Sequence, residues 1–175
     1  MSDDLSYPLG KFQRTAALDA ATFDLELKRL ETQAERLRTS LEGLNDEQLD
    51  TPYRPGGWTV RQLAHHLADS HMNMYIRLKL AMTEDNPTIK PYDQDAWVLL
   101  SDTRDIPVAV SVGILDAVQR RALSVLRSTS AGDRERTYLH PDNGPTRIDQ
   151  MTALYAWHGD HHIAHINNLR TRMGW

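Results

Sequence analysis

The chain has 175 residues, 40% hydrophobic and 25% charged, a balance that suits one soluble domain with a single core over residues 1–175. Its 20 basic and 24 acidic residues leave a formal charge of −4, which argues against a general nucleic-acid binder. There is no cysteine, so disulfides, thiolate nucleophiles and Cys-ligated zinc or iron–sulfur sites are excluded. A metal site would have to use His, carboxylates and water.

The opening stretch from Met1 to Pro8 is acidic and lacks the apolar run of a secretory signal. No apolar segment approaches the length that spans a bilayer. The expectation is a cytoplasmic protein that does not bind membranes.

The first helix is expected over Asp19–Gly43. Phe23, Leu27, Leu30, Ala34, Leu37 and Leu41 recur there at threes and fours, and Gly43 is a stop signal. Asn45–Leu49 reads as a single turn, and Thr51–Gly57 as loop. Thr59 and Gln62 form a capping-box pattern that opens a second helix ending near Thr83. Residues 84–107 carry Pro87, Pro91 and Pro107, with room for a short helix over Asp93–Leu100. A connection this long between helices reads as a crossover or a functional loop. The third helix spans Val108–Arg127. Turn-rich residues follow around His140–Pro145, where Arg136–Leu139 and Thr146–Ile148 are placed to pair as a small hairpin. The last helix covers Asp149–Met173. Four long amphipathic helices with one long central connection predict an all-α fold, a four-helix bundle with a crossover between its second and third helices.

Seven of the eight histidines cluster in two of these helices, at His65, His66 and His71 and again from His158 to His165. Residues four apart on a helix share a face. On a wheel with Met151 at zero, His158 falls at about 340° and His162 at about 20°, in the middle of the apolar stripe. His161 and His165 form a second such pair towards the stripe's edge. A single inward His is usually a hydrogen-bonded core residue, but two at this spacing would each bury a polar ring. One shared metal ion satisfies both, and a third imidazole from a facing helix would complete an open site. In the second helix, periodicity slightly favours His71. His66 lies about 100° away in a polar stripe with Ser70, Asn73 and Arg77. Those last two are candidates to contact an anionic substrate, or simply form a polar face. Asp160 points away from the stripe and reads as solvated, and His140 as an exposed turn residue. Trp58, Tyr92, Trp97 and Trp157 suit either a pocket wall or plain packing.

Several stretches resemble the YfiT-type metal-dependent hydrolases of the DinB-like superfamily. They are Leu49–Arg54, Gly56–Gln62, His65–Asn73, Ile89–Asp93, Tyr155–Ile166 and Arg172–Trp175. The resemblance runs over nearly the whole chain. It implies a four-helix bundle holding one divalent ion, zinc or nickel, on three histidines: one from the second helix and an H-x-x-x-H pair from the last. The pair then falls on His158 and His162, and the single ligand on the His directly before Leu-Ala, which is His66. A cytoplasmic homodimer and a small-molecule substrate are also implied.

Two activities are compatible with such a site. An open position on the metal would activate water for hydrolysis. The same position would hold the thiolate of a low-molecular-weight thiol for transfer to an electrophile, as in related DinB-like transferases. A non-catalytic metal-binding module is a third account.

Overall fold

The computed structural model describes residues 5–14 and 16–175; the acidic opening from Met1 to Asp4 lies outside them. In chain order the elements are α1 (Ala20–Leu41), α2 (Asp46–Leu49), α3 (Val60–Thr83), α4 (Gln94–Trp97), α5 (Ser101–Asp105), α6 (Val108–Arg127), α7 (Ala131–Glu135), β1 (Thr137–His140), β2 (Gly144–Arg147) and α8 (Ile148–Met173). Local signals set the boundaries. The Asp19 carboxylate accepts from Thr22 N at 2.7 Å and starts α1. Thr59 and Gln62 satisfy each other's backbone N–H at 3.1 and 2.9 Å and start α3. Gly174, in the left-handed region at φ +73°, ends α8. The hairpin forms as expected, antiparallel, with Tyr138 opposite Thr146.

The four long helices form a ring in the order α1, α6, α3, α8, each packed on the next. Cross-contacts give their directions. Gln33 of α1 meets Ala156 of α8, and further along both helices Ser40 O accepts from Arg170, so α1 and α8 are parallel. His65 meets Ser111 and His71 meets Gln119, so α3 and α6 are also parallel. His66 meets His158 while Arg77 meets Tyr155, so α3 runs antiparallel to α8. The order along the chain is therefore up, down, down, up. Two parallel neighbours cannot be joined by a tight turn, which is why residues 84–107 must travel the full length of the bundle. On the way the crossover pairs with the hairpin, Ile89 N donating to Leu139 O at 3.0 Å. Near the other end Gln62 Nε2 donates to Val98 O at 3.3 Å.

The core is split. Phe23, Leu30, Met74, Leu78, Leu126, Ile148 and Met151 belong to one apolar cluster. Leu37, Leu63, Leu67, Leu115, Ile163 and Ile166 belong to the other. Between the two clusters each helix places a polar side chain: Gln33 on α1, His71 on α3, Gln119 on α6 and His158 on α8, while His66, bracketed by Ala64 and Leu67 of the second cluster, meets the layer through His158. Gln33 Nε2 donates to Ala156 O at 2.7 Å, and Gln119 Nε2 donates to Gln33 Oε1 at 2.8 Å and to His71 Nδ1 at 3.3 Å. Gln33 reaches α8 because residue 159 is glycine: a Cβ there would overlap the Gln33 amide group. An alanine would ordinarily favour a helix interior by about 1 kcal/mol. Here we expect Gly159→Ala to destabilise the protein by about 1–3 kcal/mol, because displacing Gln33 breaks buried hydrogen bonds. Urea denaturation checks this, and adding Gln33→Ala should return part of the loss.

Candidate metal centre

His66 projects from the first third of α3, beside Ala64 and Leu67 of the second apolar cluster. His158 and His162 project from consecutive turns of α8. Their ring nitrogens converge: His66 Nε2 lies 3.2 Å from His158 Nε2, and His158 Nε2 lies 3.1 Å from His162 Nε2. The three ligand atoms all fall within 4.8 Å of one another. Three nitrogens facing one point cannot all be satisfied by each other's protons, since a neutral imidazole carries only one N–H. A cation satisfies all three. Nitrogens bound at about 2.0–2.1 Å to a tetrahedral ion lie about 3.3 Å apart, close to the two spacings from His158.

Electrostatics also favours the neutral, ligating form. Burial, and then the neighbouring His71, lowers the pKa of His66 to about 4. His158 and His162 are held well below the ordinary imidazole range by burial first and by the adjoining imidazoles second. A tautomer that leaves Nε2 free places the proton on Nδ1. In His158 and His162 that atom is buried and has no hydrogen-bond partner among the described residues. Ring orientation therefore comes from packing. Trp58 contacts His66 edge-on, with centroids 4.7 Å apart, and stacks on His162 at 6.3 Å.

His71 does not join this group. It is fully buried, its Nδ1 accepts from Gln119, and its pKa is lowered to about 3 by burial first and His158 second. The apolar stripe of α3 points to the middle of the bundle, and His71 follows it. A residue meeting α8 at the seam must leave that stripe, and His66 does.

The other candidates fall into place around this layer. His161 and His165 are buried too, His161 stacked on Trp157 at 4.4 Å and His165 stacked on Tyr53 at 4.0 Å. Asp160 is not solvated as its wheel position suggests: Arg29 Nη2 meets it at 2.8 Å and Arg36 meets its other oxygen. His140 is not an exposed turn residue either; it ends β1 with its side chain largely covered. Trp97 packs on Tyr92 with centroids 4.5 Å apart. A cavity of about 320 Å³ reaches His162, walled by Tyr53, Arg54 and Trp58 on one side and by Gln94 and Asp95 of the crossover on the other. Asp69, one turn beyond His66, has its carboxyl raised to about 6 by burial first and Asp102 second. Gln33 and Gln119 escaped notice in the sequence, although each interrupts the apolar stripe of its helix.

The chain matches the DinB superfamily over residues 29–166. A Bacillus mycoides (strain KBAB4) protein named "putative metal-dependent hydrolase" is 47% identical over 172 residues, 98% of this chain and 99% of its own length. One of the same name from Bacillus cereus is 47% identical over 173 residues, 99% of each chain. YfiT from Bacillus subtilis, described as "a probable metal-dependent hydrolase with an unusual four-helix bundle topology", superposes with a TM-score of 0.96 at 43% identity, covering 98% of this chain and 99% of YfiT. The four-helix bundle protein TT2238 shares the fold with a TM-score of 0.56 at 21% identity, over 81% of this chain and 94% of that one. The chain is therefore a YfiT-like member of the DinB superfamily, with the four-helix bundle fold.

Proposed function

We propose that the chain is a metal-dependent hydrolase of a small molecule, holding one divalent ion, zinc or nickel, on His66, His158 and His162. The convergence of three ring nitrogens, two pairs of them 3.1 and 3.2 Å apart and all within 4.8 Å of one another, carries this reading. When bound on three neutral imidazoles, such an ion keeps a coordination position open and lowers the pKa of a water towards neutrality. The chain supplies the rest. Trp58 fixes the planes of two ligands. The crossover residues Gln94 and Asp95 and the loop residues Tyr53 and Arg54 shape the approach to His162. The name carried by its relatives supports the same reading.

His66→Ala, His158→Ala and His162→Ala should each lose stoichiometric metal with little loss of helix, while His71→Ala keeps the metal. Elemental analysis of untagged protein, with circular dichroism beside it, checks both halves. Metal retained in any of the first three variants overturns the ligand assignment. The reaction class is tested by assaying metal-loaded protein on activated esters and amides, alone and with a small thiol plus an electrophile. Turnover without thiol is expected; turnover that requires the thiol would make the chain a transferase.

Acid should destabilise the metal-free protein. In an unfolded chain His66 takes a proton near the ordinary value of 6.5, whereas in the fold it resists down to about 4. Protonation therefore favours the unfolded state, and stability falls as pH drops through that interval. Thermal midpoints should be level above pH 7 and decline between about pH 6.5 and 4; zinc should raise them, by an amount that shrinks as protons compete for the ligand nitrogens.

A further inference from the structure

Arg77 is a half-buried cation without an acidic partner among the described residues. Its Nη1 donates to Tyr155 Oη at 2.9 Å, and among the described residues no carboxylate oxygen lies within ion-pairing distance of it. Arg61 and Arg147, also largely covered, each meet carboxylates at 2.6–2.9 Å. The guanidinium of Arg77 faces a cavity of about 350 Å³ that it shares with Arg14, Tyr138 and His140. Among the described residues, none lining this cavity is acidic, in a chain whose formal charge is −4. Arg14, which is exposed, directs its donors at neutral groups, Asn143 O at 3.2 Å, Pro145 O, and Gln150 Oε1 at 3.4 Å, and no carboxylate among the described residues pairs with it. The carboxylate near the rim is that of exposed Asp142, 3.8 Å from His140 Nδ1. Phe12 and Leu154 add apolar wall, which strengthens the field of the two guanidinium groups.

We propose that this cavity binds an oxyanion, the carboxylate or phosphate end of a small molecule, between Arg77 and Arg14. A guanidinium presents a planar fork of donors that matches both anions. Tyr155 links the cavity to the histidine layer: its hydroxyl accepts from Arg77, and its ring lies 6.1 Å from that of His158 and 5.4 Å from that of His71. The proposal rests on the arginine cavity and not on any ion held by the histidines.

Isothermal titration calorimetry at low ionic strength, with inorganic phosphate and separately with succinate, tests it. Wild type should bind one anion per chain; binding of phosphate alone assigns a phosphate end, and binding of succinate alone a carboxylate end. Arg77→Gln should weaken binding at least about tenfold, and Arg77→Lys, which keeps the charge but loses the fork, by less. Arg14→Gln should also weaken it, and decides the matter if the Arg77 variants lose helicity. Arg120→Gln, altering an exposed residue of α6, should change nothing. His66→Ala should still bind the anion, so an error in the metal assignment leaves this result intact. Failure of wild type to bind either probe, or equal affinity in wild type and in folded Arg77→Gln, overturns the proposal.

Discussion

A polar layer cuts the hydrophobic core of this bundle in two, and the rest of the structure is arranged around it. Buried side chains with unmade hydrogen bonds are destabilising by about 1–3 kcal/mol each. The layer contains several atoms without such a bond among the described residues, His71 Nε2, Gln119 Oε1, and Nδ1 of His158 and His162. Nothing in bundle packing requires this; leucines would fill the same space. The layer persists because apolar clusters lie on both sides, each spanning all four helices, and hold the backbones in register across it. A ligand that binds only the folded arrangement adds its binding free energy to folding. A cation between the three Nε2 atoms would thus recover part of what the layer loses.

Chain topology decides which helices meet at that layer. With α1 and α8 parallel and α3 antiparallel to α8, the start of α3 faces the middle of α8, and His66 is brought to the level of His158. The down-down pairing of α3 and α6 forces the long crossover, and the crossover passes beside the approach to His162. One topological choice therefore yields both the ligand alignment and the wall of the access cavity. Gly159 serves the same end on a smaller scale. It admits Gln33 to the α8 backbone beside His158, and Gln33 in turn holds Gln119.

Much of this was legible in the residues. The capping pattern at Thr59, the prolines at 87, 91 and 107, and the alternating threes and fours placed all four long helices and the crossover. The wheel put His158 and His162 together because both lie in the stripe that α8 turns to the bundle. It favoured His71 over His66 because a wheel ranks residues by nearness to the centre of the apolar face. A site shared by two helices forms at their seam, where one of them contributes from the edge of its stripe. The resemblance to a known family supplied that information, and the structure brings His66 and not His71 to the α8 pair.

Asp160 shows where single-helix reasoning stops. On its own wheel it points away from the core, which for an aspartate reads as solvent. The next helix lies there instead, and α1 presents Arg29 and Arg36 from its own polar side. Gln33 Nε2 reaches the same carboxylate at 3.4 Å while bonding Ala156 O. The ion pairs and the polar layer thus form one continuous network, from the α1–α8 seam through Gln33 and Gln119 to His71. Such a network resists sliding of α8 along α1, because a shift of one turn would move Asp160 off both arginines and Gln33 off its carbonyl together. Sliding is the motion that would separate His158 and His162 from His66. The register of the candidate metal centre is therefore set in part by groups on the far side of α8, none of which touches the three ring nitrogens.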